Sequence, residues 1–249
     1  MPYLDAPTAA LQRMFGIRDA DLPDAAVVLG RWGQHGYFER LAGMWPDIRE
    51  VEEHTALVEA DGRRVWVSVV FGAAMAATLT HFAARLGARA VIQIGSMGGL
   101  TTGWEVGDVL VPSSVVGRDG VSRQLSRGRT IEPSGELSQH LAADLGSRLV
   151  HGMVRRGPLV STTTLSLERP ADVARWRRAG FAGVEMECAA TLATAQHLGA
   201  EAAGAFVLVD NLAHDHAFYD IDADQREWIM AAEDAVFSSA VAVALRHAG

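Results

Sequence analysis

Short β-rich apolar runs alternate with longer stretches of helical periodicity along most of the chain, and this alternation limits the possible folds more than any single motif does. The runs at residues 25–29, 64–70, 90–94, 108–116, 157–161 and 203–209 read as strands. Residues 34–43, 75–86, 135–149, 170–179, 187–198 and 224–247 read as helices, with glycines or polar residues at most junctions. No repeat, low-complexity tract or linker interrupts the series. The expected fold class is therefore α/β: a single three-layer domain over residues 1–249, with a mixed central β-sheet flanked by helices and residues 1–23 as an N-terminal extension.

Composition narrows the partners. Hydrophobic residues make up 49% and charged residues 21%, an ordinary globular balance with ample material for a core. A net charge of −8 argues against a nucleic-acid backbone or an anionic membrane as the main partner. The single cysteine, Cys188, leaves no internal disulfide and no cysteine-rich metal site. The start M-P-Y-L-D-A-P-T lacks a basic segment followed by an apolar core. No apolar run looks long enough to cross a bilayer without charge or glycine interruption, so the expected location is cytoplasmic.

Ligands of open α/β sheets gather beyond the carboxyl ends of the strands. Four stretches fall there: Gly30-Arg31-Trp32-Gly33, Gly95-Ser96-Met97-Gly98-Gly99, Ser161-Thr162-Thr163-Thr164 and Asp210-Asn211. The second is either an anion cradle of converging N–H groups with the Ser96 hydroxyl, or a tight strand-to-helix turn. It is neither a P-loop nor a dinucleotide fingerprint. Asp210 ends the buried-strand run A-F-V-L-V, where desolvation suits it to proton donation, although Asp also caps turns. His214 and His216, with Asp215 or Asp210, have the wrong spacing and no third convincing ligand, so neither metal nor cofactor is expected. The polar, basic segment 117–133 reads equally as a functional lid or edge and as a solvated surface loop.

The stretch G-V-E-M-E-C-A-A places Glu185 and Glu187 in apolar surroundings, where a charge needs partners. A helix-start pair accounts easily for one carboxylate and less well for two. Extended backbone would put both on one face with Met186 opposite, whereas a helical turn would make them diverge. Carboxylates that reach a pocket suit a sugar diol, because each accepts hydrogen bonds from two hydroxyls.

The ordered series V-I-Q-I-G-S-M-G-G-L, V-G-D-V-L-V-P, G-V-E-M-E-C-A-A and V-L-V-D-N resembles the nucleoside phosphorylase superfamily, which includes hexameric-type purine nucleoside phosphorylases, uridine phosphorylases and methylthioadenosine nucleosidases. The resemblance runs from about residue 25 to the C-terminal helix and implies a nucleoside phosphorylase-like fold. It assigns ribose binding to Glu187 and Met186, with Glu185 supporting the segment. The acid that protonates or hydrogen-bonds a purine at N7 falls on Asp210, which uridine phosphorylases lack, and Arg226 corresponds to the arginine that assists it. Thr163, Leu165 and Asn211 fall beside the base, with Leu165 where an aromatic ring usually stacks. Gly30, Arg31, Gln93, Gly95 and Ser96 fall at the acceptor, or phosphate, loops.

The acceptor site departs from the family pattern. Phosphorylases use arginines there because a guanidinium fork matches phosphate. Gln93 replaces the arginine before G-S, and the usual G-D-P-x-R loop reads G-R-W-G-Q, with Gln34 near the expected arginine. The resemblance therefore implies cleavage of the N-glycosidic bond of a purine-like nucleoside, with water slightly favoured over phosphate as acceptor. A phosphorylase with a rebuilt phosphate site and a non-catalytic nucleoside-binding protein are the alternatives. The glutamate-rich first loop of the nucleosidases is absent too, and residues 1–23 lack the histidine that a neighbouring subunit often lends to the sugar 5′ end. The resemblance also implies a homo-oligomer, a dimer or trimer of dimers, with active sites near subunit interfaces.

Overall fold

A computed structural model of the chain describes residues 7–31, 37–45, 47–214 and 220–247. Nine strands form one sheet: β1 (Ala25–Gly30), β2 (Arg49–Glu52), β3 (Thr55–Ala60), β4 (Arg63–Val70), β5 (Ala90–Gly99), β6 (Val109–Gly117), β7 (Val154–Ser161), β8 (Gly183–Glu185) and β9 (Glu201–Asn211). The helices are α1 (Thr8–Phe15), α2 (Tyr37–Met44), α3 (Ala73–Leu86), α4 (Gly120–Leu125), α5 (Gly135–Arg148), α6 (Pro170–Arg178), α7 (Cys188–His197) and α8 (Ala223–His247). The sheet is mixed. β1 lies parallel to both β4 and β5, whereas β3 runs antiparallel to β4 and β6 antiparallel to β9.

The pairings β5–β8, β8–β7, β7–β6, β6–β9 and β9–β5 close into a ring. Strands β1, β4, β3 and β2 extend outward from β5 as an open wing. The long β5 thus belongs to both halves.

Strand periodicity builds the layers. Ala26 and Val28 of β1 join a core with Leu86 of α3 and Leu192 of α7, while Ala25, Val27 and Leu29 join Leu41 of α2, Leu141 of α5 and Phe237 of α8. Both faces of the strand are buried, which explains its unbroken apolar sequence. Phe237 is 1% exposed, and cutting such a side chain back to alanine costs about 3–5 kcal/mol.

Several elements differ from the sequence reading. Residues 95–99 are strand rather than turn, because β8 and β9 both pair with that end of β5. The segment 117–133 contains α4, whose Ser122 N–H donates to the capping Asp119 at 2.7 Å, and Ile131 bridges back to Val115. Within the N-terminal extension, α1 buries Leu11, and Phe15 packs on Phe82 with ring centroids 4.4 Å apart. Helix α8 is long and apolar enough to cross a membrane by length and composition, although Glu233 and Asp234 interrupt it; here it packs its apolar face on the sheet, with Val236, Phe237, Val241 and Val243 buried.

Candidate active site

Glu185 and Glu187 lie at the junction of β8 and α7, and the chain turns between them so that their carboxylates diverge. Glu185 faces inward. Its Oε2 accepts the Glu187 and Cys188 N–H groups, both at 2.7 Å, and its Oε1 accepts the Ser161 hydroxyl. Ser161 Oγ in turn accepts the Ala189 N–H at 2.9 Å, so these two side chains satisfy the free N–H groups at the start of α7.

Glu187 turns the other way, towards the end of β1. Its Oε1 accepts the N–H of Gly72 at 2.6 Å, where a φ of 83° places glycine at the N-cap of α3. Its Oε2 lies against Gly30, in the space a β-carbon would fill. Burial pushes both carboxyls up from their ordinary range, and the charge of Glu187 adds to the rise at Glu185. Burial and the same two glutamates raise the neighbouring Cys188 thiol, which favours its protonated form.

The opposite side of the site is built on the closed half of the sheet. Gly98 of β5 pairs with Val184 of β8 on one side and with Asp210 of β9 on the other. Glu168 follows the short 3-10 turn Leu165–Leu167. Its carboxyl is pushed up to about 7 by burial and by the charge of Asp210, so the two acids are near enough to repel. Such a pair can hold a proton near neutral pH.

A small cavity at the ends of β1 and β5 is lined by Gly30, Arg31, Gly95, Ser96, Glu233 and Val236. It has about 10 Å³ of water-accessible space, on the scale of one water molecule. Arg31 Nη1 donates to both carboxylate oxygens of Glu233 at 3.1 Å.

Against known sequences, the profile of the Phosphorylase superfamily matches residues 26–242. The chain belongs to this superfamily. Guanosine phosphorylase of Halorubrum lacusprofundi is 27% identical over 205 residues, covering 78% of this chain and 80% of that protein. The structure of purine nucleoside phosphorylase from Toxoplasma gondii, in complex with immucillin-H, superposes with a TM-score of 0.76 at 17% identity, covering 92% of this chain and 94% of that one. Uridine phosphorylase from Vibrio fischeri superposes at 0.74 with 16% identity, covering 98% and 96%. These two structures support the likeness in fold, and the family named from the sequence motifs is borne out.

Within this phosphorylase-superfamily chain, four expected acceptor residues meet in one cavity: Gly30, Arg31, Gly95 and Ser96. Gln93 does not join them. It is fully buried, with Nε2 donating to the Ile94 carbonyl at 3.0 Å and Oε1 accepting the Thr191 hydroxyl at 2.5 Å. Asn211 is also reassigned from the base to the scaffold. Its Nδ2 donates to the carbonyls of Thr101 and Trp104 at 3.1 and 2.8 Å, and its Oδ1 accepts the Ala213 N–H at 3.0 Å. Arg226, expected beside Asp210, is exposed at the start of α8 with Nε 3.4 Å from the Ile221 carbonyl. Thr163 and Leu165 are exposed after β7, and Met186 is half-buried between the two glutamates. Gln34, Asp215 and His216 lie outside the described residues.

Sequence reasoning missed Gly72, Glu168 and Glu233. Gly72 and Glu233 reach the site only through tertiary packing. Glu168 left a faint trace, as the one acid closing the run T-T-T-L-S-L-E.

Proposed function

We propose that this protein cleaves the N-glycosidic bond of a purine-like nucleoside with water as the acceptor. The observation that carries the choice of acceptor is the guanidinium at the cavity of Gly30, Gly95 and Ser96: Arg31 is already paired with Glu233. Gln93 supports the same reading, since both ends of its amide are engaged inside the protein.

In the proposed mechanism, Glu187 accepts hydrogen bonds from the ribose hydroxyls while Gly72 holds its other oxygen. As the C1′–N bond stretches, positive charge develops on the sugar and negative charge on the departing base. Asp210, drawing on the proton that it shares with Glu168, donates to a ring nitrogen of the base and neutralises it. Water in the acceptor cavity attacks C1′ from the opposite face and loses a proton to solvent, giving free ribose. Met186 packs against the sugar, and Thr163 and Leu165 border the base. We assign the chain to a homo-oligomer whose active sites lie near subunit interfaces.

One observation favours a second reading, with phosphate as acceptor: the relative from Halorubrum lacusprofundi is named a phosphorylase. A panel of purine nucleosides incubated with and without phosphate tests both, with chromatography separating ribose from ribose 1-phosphate. Strict phosphate dependence with ribose 1-phosphate as product would establish the second reading. Thermal stabilisation by nucleoside without any product would support a binding protein instead.

A further inference from the structure

Glu233 is a carboxylate in the acceptor cavity that no step of bond cleavage requires. Its side chain is only 16% exposed, and two guanidinium groups from separate elements converge on it. Arg31, just beyond β1, reaches both of its oxygens at 3.1 Å, and Arg40 of α2 reaches Oε2 at 3.1 Å. Arg40 also donates to Asp234 at 2.5 Å. Among the described residues, Arg31 and Arg40 thus face Glu233 and Asp234.

A phosphate entering this cavity would seek the same donors, because a guanidinium binds carboxylate and phosphate with similar fork geometry. It would also meet a like charge beside the Gly95–Ser96 backbone. We propose that Glu233 selects the acceptor: held on Arg31 as an internal counter-anion, it keeps phosphate out and leaves the cavity to water. The assignment rests on reading this cavity as the acceptor site. It makes Glu233 a specificity-determining residue, in contrast to Asp210 and Glu187, which act on the nucleoside.

The test is calorimetric titration of inorganic phosphate into the full chain and its Glu233→Gln variant, with products analysed after incubation with a purine nucleoside and phosphate. The variant should bind phosphate about tenfold to a hundredfold more tightly than the parent, the worth of one charged hydrogen bond. Ribose 1-phosphate should then form beside ribose, and adding Arg31→Ala should abolish the gain. Unchanged or weaker phosphate binding in Glu233→Gln overturns the proposal. If circular dichroism shows that this variant does not fold, Glu233→Asp, which draws the carboxylate back from Arg31 by one methylene, must shift affinity in the same direction; no shift overturns it equally. An equal gain from Asp234→Asn would point to diffuse electrostatics and also overturn it. Phosphate binding is read without turnover, so a chain that binds phosphate as expected but cleaves no nucleoside would refute only the enzymatic reading.

Discussion

Gly30→Ala is a small change with a calculable consequence. Gly30 is not among the residues with positive φ, so its backbone can accept alanine, and the constraint is space. A β-carbon there would stand 2.7 Å from Glu187 Oε2, 3.1 Å from its Cδ and 3.3 Å from Gln93 Nε2. The first distance is about 0.7 Å short of ordinary van der Waals contact. Glu187 must retreat, since Gln93 is anchored on the Ile94 carbonyl. Retreat pulls Oε1 from the Gly72 N–H, now 2.6 Å away, and a charged hydrogen bond is worth about 1.5–3 kcal/mol. On the ribose side, the same loss corresponds to roughly a tenfold to 150-fold rise in KM, with a smaller change in kcat. At about 2–4 °C per kcal/mol for a chain of this size, Tm should fall by about 3–12 °C. Steady-state kinetics and thermal melts measure both effects. Glu187→Asp added to Gly30→Ala should recover part of the lost Tm, because the shorter acid vacates the clash. An unchanged KM and Tm in Gly30→Ala, or strictly additive effects in the double variant, would refute this geometry.

Asp210→Asn should lower kcat by about 10²–10⁴-fold on ordinary purine nucleosides. Substrates whose leaving group needs no proton should lose much less; equal losses on both kinds would mark Asp210 as structural. Glu187→Gln should weaken nucleoside binding far more than Glu185→Gln, because the proposed mechanism gives only Glu187 the ribose hydroxyls, and equal effects in calorimetry would count against the assignment. The pH dependence of stability follows from the raised carboxyls of Glu168, Glu185 and Glu187. The folded state holds protons that the unfolded chain has released, so their contribution is complete below the ordinary carboxylate range. It is lost as pH rises through the folded-state values, near 7 for Glu168. Tm should therefore fall between pH 6 and pH 8, and Glu168→Gln should flatten the slope; a Tm that climbs over this interval would contradict the reading.

The sequence showed the elements whose two faces are both buried. The runs ending at Leu29, Ile94 and Val209 are apolar apart from Gln93, and β1, β5 and β9 stand there with altered ends. Strands β2, β3 and β8 escaped notice for different reasons. The edge strand β2 carries R-E-V-E, which looks like a loop, and β8 is three residues long. Local pattern does not reveal that a third partner strand prolongs β5. At the candidate site, Gly30, Gly95 and Ser96, which line one cavity, and Glu187 and Asp210 drew attention because they sit in contiguous motifs at strand ends. Asn211 and Gln93 had the right residue type and position, yet their amides satisfy buried backbone and hydroxyl groups, a demand visible only after folding. Glu233 comes from a helix more than two hundred residues beyond Arg31.

Strand β5 is the seam between the open wing and the closed ring of the sheet. Gly30, at the end of β1, belongs to the wing, while Asp210 on β9 and the segment after β7 belong to the ring. On the proposed function, nucleophile choice and leaving-group choice would then lie on separate cassettes that meet along one strand. Exchanging the β1 loop together with the facing turn of α8 between relatives should change the acceptor without retraining recognition of the base. Substitutions at the Met97–Gly98 register shift, in contrast, would alter the spacing between the two cassettes and disturb both traits at once.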